Sequence, residues 1–573
     1  MMERVLRVSI VLLALAFLAA GCGGDGGHDT GRDVPPEVPA DLPGEIAGDL
    51  PTEISDLPAE IADLPGEASD LPAEVGDATP DAPCAEGESA CDGTFTALCG
   101  AGGVLQRVAD CAADGWMCQG GRCVATAAET EAEAAWRELL DALRTDNARA
   151  PLEADERGGW KNAPAPVAAG TATGFYRVEK RDGTWWLVTP DGAPMISKGV
   201  TDVNFLGPNL QMDDLQAALA AKHGSEEAWA EDAEARLRGW GFNTVGPWSG
   251  RSILSRVVDA EPILDIVHRV PRPDGLVMDV FVPEYREIVM QLATERCVPR
   301  KDDPNLLGWF LDNELAWDNC WQTPKRLLRL YFEFPAGQPG REVALAFLRE
   351  AAGDSLETFN AGWKTGLASW DDLATMPSGT LEPATPEAGA WAEAFAVNVF
   401  DRYAGEAVKA IREADPNHLI LGCRFSTWHF DALMAAAGRH FDVISLAYYS
   451  ETPPVEDLDR AGPAIDRPFL LEEWSFKGTD SGLMNILAFA PVVPTQQDRG
   501  LAYARYVKSL IRRPWVVAYH WYKWFDNPPR EDNILSGDNF GLMNQDDEPY
   551  LPLVRMAGEV NRRVEAWHRE GVP

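Results

Sequence analysis

The sequence predicts an α/β protein whose main body is a (β/α)8 TIM barrel, preceded by a disordered acidic linker and a small disulfide-rich module. Three observations carry that expectation. From residue 174 onward, short apolar runs alternate with helical stretches, the pattern of a parallel sheet covered by helices. Eight such runs can be placed, and eight repeats favour a closed barrel over an open sheet. Two of the runs, Leu306-Leu307-Gly308-Trp309-Phe310-Leu311 and Pro468-Phe469-Leu470-Leu471, stop at carboxylates, in Asp312-Asn313-Glu314 and in Glu472-Glu473-Trp474. Apolar runs of this length read as buried parallel strands, and the C-terminal ends of barrel strands are where that fold keeps its chemistry.

The chain has 573 residues, too many for one simple domain, and a formal net charge of -40. That charge argues against nucleic acid as a partner, because phosphates would repel it. It suits a neutral or weakly charged substrate. Twenty Trp favour carbohydrate only slightly, since large cores also use Trp.

Residues 1–22 read as a targeting segment. Arg4 and Arg7 supply the charged start and residues 8–20 the apolar stretch, too short for an ordinary membrane span. The stretch ends in Leu18-Ala19-Ala20-Gly21-Cys22, which resembles a bacterial lipobox. That resemblance implies lipidation of Cys22 and a lipid anchor in a bacterial membrane, with the outer membrane or the cell surface as the expected place. An ordinary secretory signal is the alternative; either way the mature chain meets oxidising conditions.

Residues 23–83 form the acidic linker. Within 24–83, sixteen Asp and Glu face a single Arg, with no aromatic residue; such a segment cannot bury enough apolar surface to offset the entropy of ordering. Asp-Leu-Pro recurs every seven residues from Asp49 to Asp70. A Pro in every repeat costs about 3 kcal/mol in a helix interior, so the repeat is an extended tether and not a coiled coil.

Residues 84–124 carry Cys84, Cys91, Cys99, Cys111, Cys118 and Cys123. Six Cys in so short an exported segment imply a disulfide framework; fifteen pairings are possible and all stay open. Zinc is a poor reading without His or a CxxC pair. In residues 125–173, 126–145 look helical and 146–169 looser and rich in Pro.

The barrel domain is expected over 174–573. Residues 176–194 alternate like a hairpin, with Asp182-Gly183 and Asp191-Gly192 as turns. The candidate strands are 194–200, 244–248, 263–267, 306–313, 419–424, 443–448, 469–473 and 516–521, with helices such as 228–238 and 284–297 between them.

Two carboxylates at strand ends suggest one acid and one nucleophile acting on a glycosidic bond, which in a retaining enzyme stand about 5 Å apart. Glu314 is the better acid/base and Glu473 the better nucleophile. Alternation along the strand puts Leu471 and Glu473 on one face and Leu470 and Glu472 on the other. The position before Trp474 favours Glu473, which leaves Glu472 as an ion-pair partner or a like charge. The eight His offer no metal-ligand spacing and no Gly-rich phosphate loop is present, so neither metal nor cofactor is expected.

The Asn313-Glu314 and Glu473-Trp474 pairs resemble the strand-four and strand-seven motifs of glycoside hydrolase clan A. More narrowly, Gly308-Trp309-Phe310-Leu311-Asp312-Asn313-Glu314-Leu315 resembles the acid/base segment of family fifty, the β-agarases. So do Asp415-Pro416-Asn417-His418-Leu419, Gly422-Cys423-Arg424-Phe425, His520-Trp521, Asp538-Asn539-Phe540-Gly541-Leu542, and the entry from Asp182-Gly183-Thr184-Trp185-Trp186-Leu187 to Gly199-Val200. The match covers roughly residues 174 to 570. One departure is Glu472, where that family usually has Gly. The stretch 356–370 is also similar to β-galactosidases of the same clan.

The resemblance implies a retaining β-glycosidase acting on a β-linked galactan such as agarose or its oligosaccharides. Asn313 would hydrogen-bond the sugar 2-hydroxyl, Tyr448 or Tyr449 would orient the nucleophile, and Arg424 would pair with it. Trp521 would floor the sugar subsite, with Asn204 and Trp248 as further sugar contacts. The alternatives are a β-galactosidase, glucanase or mannanase on the same barrel, or a catalytically silent glycan-binding lipoprotein.

Overall fold

The computed structural model describes residues 89–92, 94–99, 104–114, 116–119, 121–125, 130–207, 213–254, 256–318, 322–377, 381–529 and 537–572. The targeting segment with Cys22, the acidic tether and Cys84 lie outside the described residues.

Eight short strands form the centre: β1 (Ser197–Val200), β2 (Thr244–Val245), β3 (Val258–Asp259), β4 (Gly308–Phe310), β5 (Leu419–Gly422), β6 (Ile444–Ala447), β7 (Phe469–Trp474) and β8 (Val516–Trp521). Each runs parallel to the next in chain order. Ladders join β1 to β2, β2 to β3, β4 to β5, β6 to β7 and β7 to β8. Bridges Asp259–Leu306 and Phe425–Leu446 carry the ring across β3–β4 and β5–β6. Finally β8 pairs with β1, Ala518 opposite Ser197 and Trp521 opposite Val200, and the ring closes.

Strand three differs from its expected place. The run 263–267 contributes only a bridge from Ile263 to Phe310, and Asp265 turns to φ 65° to enter the 3-10 turn Ile266–His268. The preceding Val258–Asp259 fills the gap between β2 and β4 instead. It is too short and too mixed in polarity to stand out by periodicity.

Two apolar layers hold the ring. Its inside is filled by Val258, Leu307, Phe310, Leu419, Leu421, Val443, Leu470 and Val517, together with Tyr176, Leu187 and Met195 from the segment before β1. That segment is the expected hairpin, Arg177–Arg181 against Thr184–Val188, turned at Asp182-Gly183 with both residues at positive φ. It closes the end of the ring where the strands begin. Outward residues such as Trp309, Leu446, Leu471, Trp474 and Tyr519 pack under the helices. Helices include α1 (Glu131–Arg149), α2 (Pro386–Ala414), α3 (Gln496–Ile511) and α4 (Leu551–Asn561).

Helix α1 starts at a capping box, Thr130 and Glu133 each accepting the other's backbone N–H, which satisfies two otherwise orphaned donors. Its Trp136 Nε1 donates to the Pro552 carbonyl at 2.9 Å and its Asn147 to that of Glu559 at 2.9 Å, so α1 lies on α4. Toward the cysteine module, Arg137 donates to the Cys123 carbonyl, and Cys123 N–H donates to Asp141. In that module Cys91 pairs with Cys118 and Cys111 with Cys123, and Cys99 is disulfide-bonded as well. Cys297 and Cys423 are free and buried.

Candidate active site

One irregularity in β7 builds the site. Opposite β6, Leu446 faces Leu471 but the next residue, Ala447, already faces Glu473; opposite β8, Leu471 faces Tyr519 and Trp474 faces Trp521. One residue on β7 is therefore extra, a β-bulge of the kind that re-aims a side chain. Regular alternation would send Glu472 and Glu473 to opposite faces. The bulge turns both toward the same guanidinium, that of Arg424 just beyond β5.

Arg424 is fully buried and its donors are divided. Nη2 binds Oε1 of Glu473, Nη1 pairs with Oε2 of Glu472, and Nε donates to Oδ1 of Asn313 at 2.7 Å. Its backbone N–H donates to Ser445 Oγ, and its carbonyl accepts from the Glu314 N–H at 2.9 Å. Arg424 and Glu314 both adopt positive φ, 54° and 48°, a conformation that non-glycine residues hold only when surroundings fix it. Cation–π contacts from Trp248 at 4.8 Å and Phe310 at 5.3 Å sandwich the guanidinium.

The other oxygen of Glu473, Oε2, accepts the Tyr449 hydroxyl at 2.7 Å. Burial, with the charge of Glu473 beside it, holds the Tyr449 phenol well above its ordinary range, so it stays a donor. Glu314 lies near enough that its charge raises both Tyr449 and Glu472. Burial pushes the Glu472 carboxyl well above the usual carboxylate range; Arg424 opposes this, and the charges of Glu473 and Glu314 add to it. At the end of β4, Asp312 accepts from Val267 N–H and the Tyr403 hydroxyl and is pushed up to about 8 by burial.

Around this centre stand some of the expected residues, while others lie away from it. Trp248 is 38% exposed, at φ 65° and against Arg424, whereas Asn204 donates to the Trp248 carbonyl and accepts from the Leu206 N–H. Of the two tyrosines only Tyr449 reaches the Glu473 carboxylate. Tyr448 gives its backbone N–H to the Glu473 carbonyl, and its side chain packs in the outer layer near Glu456 and Asp457.

Trp521 is not a subsite floor. It is fully buried in the outer layer, 5.1 Å from Trp474, with Arg499 over its ring and Nε1 donating to the Phe540 carbonyl. Strand parity is the reason: His520 points into the ring to Ser197, at 2.9 Å, so Trp521 must point out. The half-buried aromatic beside the site is Tyr522, 6.0 Å from the Tyr449 ring. Parity from His520 could have signalled it.

The other residues missed are His520, Lys523 and Phe489. His520 is pushed down to about 3 by burial, with Arg424 adding to the shift, and is therefore neutral. A Cβ at Gly199 would meet its ring at 2.3 Å, which is why β1 carries Gly there. Buried Lys523 pairs with Asp202 at 3.2 Å, and its charge is influenced by Glu473. Phe489, 43% exposed, stands 4.8 Å from the Tyr449 ring and stacks on Phe540.

The agarase-like motif Asp415-Pro416-Asn417-His418 is structural. Asp415 accepts from Trp309 Nε1 and from the N–H groups of Asn417 and His418, and it holds the His418 ring at 2.7 Å, all before β5 begins. Among the described residues one cluster, His223, Asp232 and Asp547, has metal-like spacing. Arg236 and Lys222 already pair with its carboxylates, so cations of the chain take the place an ion would.

No protein-family model matches the chain. β-Agarase B of Vibrio sp. (strain JT0107) is 26% identical over 495 residues, covering 71% of this chain and 49% of its own length. β-Agarase A of the same strain is 26% identical over 380 residues, covering 60% of this chain and 36% of its own. The chain thus spans about half the length of the first and about a third of the second. The solved agarase AgWH50C superposes with a TM-score of 0.62 at 23% identity, covering 79% of this chain and 73% of that one. A solved exo-β-agarase gives 0.62 at 21% identity, covering 77% and 71%. The chain is therefore similar in sequence to β-agarases and shares the fold of solved agarases.

Proposed function

We propose that this chain is a retaining β-glycosidase that hydrolyses a β-linked galactan such as agarose or agaro-oligosaccharides. The observation that carries the reading is the arrangement of Glu473, held between Arg424 and the Tyr449 hydroxyl, with Glu314 tied to Arg424 through the backbone. We read the closed ring as a (β/α)8 barrel with these residues at its C-terminal mouth, supported by parallel pairing in chain order. The relatives' names support agarose as the substrate.

Glu473 attacks the anomeric carbon while Glu314 gives its proton to the leaving oxygen. Glu314 then takes a proton from water, which cleaves the glycosyl-enzyme with net retention. Arg424 and Tyr449 each hold one oxygen of Glu473, fixing its orientation for attack. The Oδ1 of Asn313 is occupied by Arg424, which leaves its Nδ2 for the sugar 2-hydroxyl. Trp248 and Tyr522 supply aromatic surface for the sugar ring.

The test is hydrolysis of agarose, agaro-oligosaccharides, other β-glycans and aryl β-galactosides, with Glu473→Ala and Glu314→Ala beside the wild type. Release of agaro-oligosaccharides of retained configuration, lost in both variants, is expected. An inverted first product would overturn the double displacement. Cleavage of aryl galactosides alone would move the enzyme to the galactosidases, and binding without turnover would make it a silent glycan binder. We also propose lipid anchoring through Cys22, tested by metabolic labelling with a fatty acid that Cys22→Ser abolishes.

A further inference from the structure

Glu472 is a titratable side chain that the proposed reaction does not use. It is 0% exposed, and neither of its oxygens makes a regular hydrogen bond; its contact with the chain's polar groups is the ion pair with Arg424 Nη1. Leu470, two residues earlier on the same strand, packs inside the ring with Phe310. The groups that face it are Arg424 from β5, Glu473 from its own strand and Glu314 from the end of β4; Cys423 also senses its charge, and His520 on β8 faces Arg424. A buried carboxyl with so little hydrogen bonding costs stability that a small apolar residue would not.

We propose that Glu472 is a positioning residue for glycosidic cleavage: it holds Nη1 of Arg424 so that Nη2 faces Glu473 and Nε faces Asn313. The inference rests on the glycosidase reading above. A guanidinium is planar with donors in a fixed fork, so fixing two edges fixes the third. Asn313 fixes the Nε edge and Glu472 the Nη1 edge. The edge left over is the one that meets the nucleophile. The bulge of β7 is what lets consecutive carboxyls share one guanidinium, one as partner of the substrate and one as brace. Burial above all raises the Glu472 carboxyl well above the usual carboxylate range, Arg424 opposes the shift, and the charges of Glu473 and Glu314 add to it.

The test is kinetics of the full chain carrying Glu472→Leu, Glu472→Gln, Arg424→Gln and the double variant Arg424→Gln/Glu472→Leu. Glu472→Leu is expected to lower kcat about tenfold or more with KM nearly unchanged, because misplacement and not binding is at stake. Glu472→Gln, which keeps a side-chain oxygen for Nη1, is expected to recover most of that loss. In the Arg424→Gln background, Glu472→Leu should cost nothing further. Full kcat in Glu472→Leu, equal losses in the Leu and Gln variants, or an additive double variant would each overturn the proposal.

Should the Leu variant not fold, Glu472→Ala is compared with Glu472→Gln in its place, by kinetics and melting curves. A kcat loss in the Ala variant that the Gln variant recovers supports the brace; full kcat in the Ala variant, or equal losses in both, overturns it. A wild-type chain that cleaves no glycan would sink the glycosidase reading itself, a result separate from an active enzyme indifferent to Glu472→Leu.

Discussion

Tyr449 donates its hydroxyl to Oε2 of Glu473 at 2.7 Å, while the opposite oxygen of that carboxylate is held by Arg424. The Glu473 carboxylate is thus held at both oxygens by residues that follow β5 and β6. Removing the phenol hydroxyl leaves the carboxylate free to turn about its last bond. Tyr449→Phe should therefore lower kcat on agaro-oligosaccharides by about tenfold to a hundredfold. Steady-state kinetics and a melting curve check it; an unchanged kcat would remove Tyr449 from the site.

Trp521 and Tyr522 are adjacent in sequence but belong to different environments. Trp521 is a fully buried core ring, and its truncation to Ala should cost about 3–5 kcal/mol of stability. Tyr522→Ala should leave most of the stability in place and raise KM. Urea unfolding alongside substrate titration distinguishes the two; a KM effect from Trp521→Ala without loss of stability would contradict the assignment.

His520 gives stability a pH dependence. Its folded pKa is pushed down to about 3 from the ordinary 6.5, by burial first. The contribution is fully present above about 6.5 and drains away as pH falls from there toward about 3, because the unfolded chain takes up the proton first. Asp526, pushed up to about 6, acts with the opposite sign and is common to both proteins compared. Between pH 7 and pH 4 the wild type should lose on the order of a few kcal/mol more than His520→Gln. Equal losses, read by urea unfolding at the two pH values, would mean that His520 is protonated in the fold.

The cysteine module is held by bridges remote from the reaction. Peptide mapping without reductant should recover Cys91 with Cys118 and Cys111 with Cys123. Reductant should loosen that module, by about 2–4 kcal/mol per bridge, while kcat stays as before, since the free thiols of Cys297 and Cys423 are buried and outside the Glu314–Glu473 centre. Loss of kcat on reduction would tie the module to the site.

Much of the site was legible because strand ends announce themselves. Glu314, Glu473, Asn313 and Arg424 each follow an apolar run, and each lies in the cluster built around the guanidinium. Tyr448 and Trp521 were misjudged for one reason. Assigning faces needs the parity of each strand, and parity is set by residues that cannot be ranked from composition, such as His520 turning inward to Ser197. Strand three was misplaced because a two-residue strand carries no periodicity at all.

By itself the sequence determined the succession of parallel strands and helices, the cysteine-rich segment and the carboxylates that end two of the strands. Apolar run length, turn residues and spacing are local properties, and local chemistry writes them directly. Only the tertiary structure decided that Glu472 and Glu473 meet the same arginine. A bulge exists only relative to the neighbouring strands, and the extra residue on β7 becomes visible when β6 and β8 are laid beside it. The disulfide pairing and the outward turn of Trp521 were decided the same way, by which distant segments pack together.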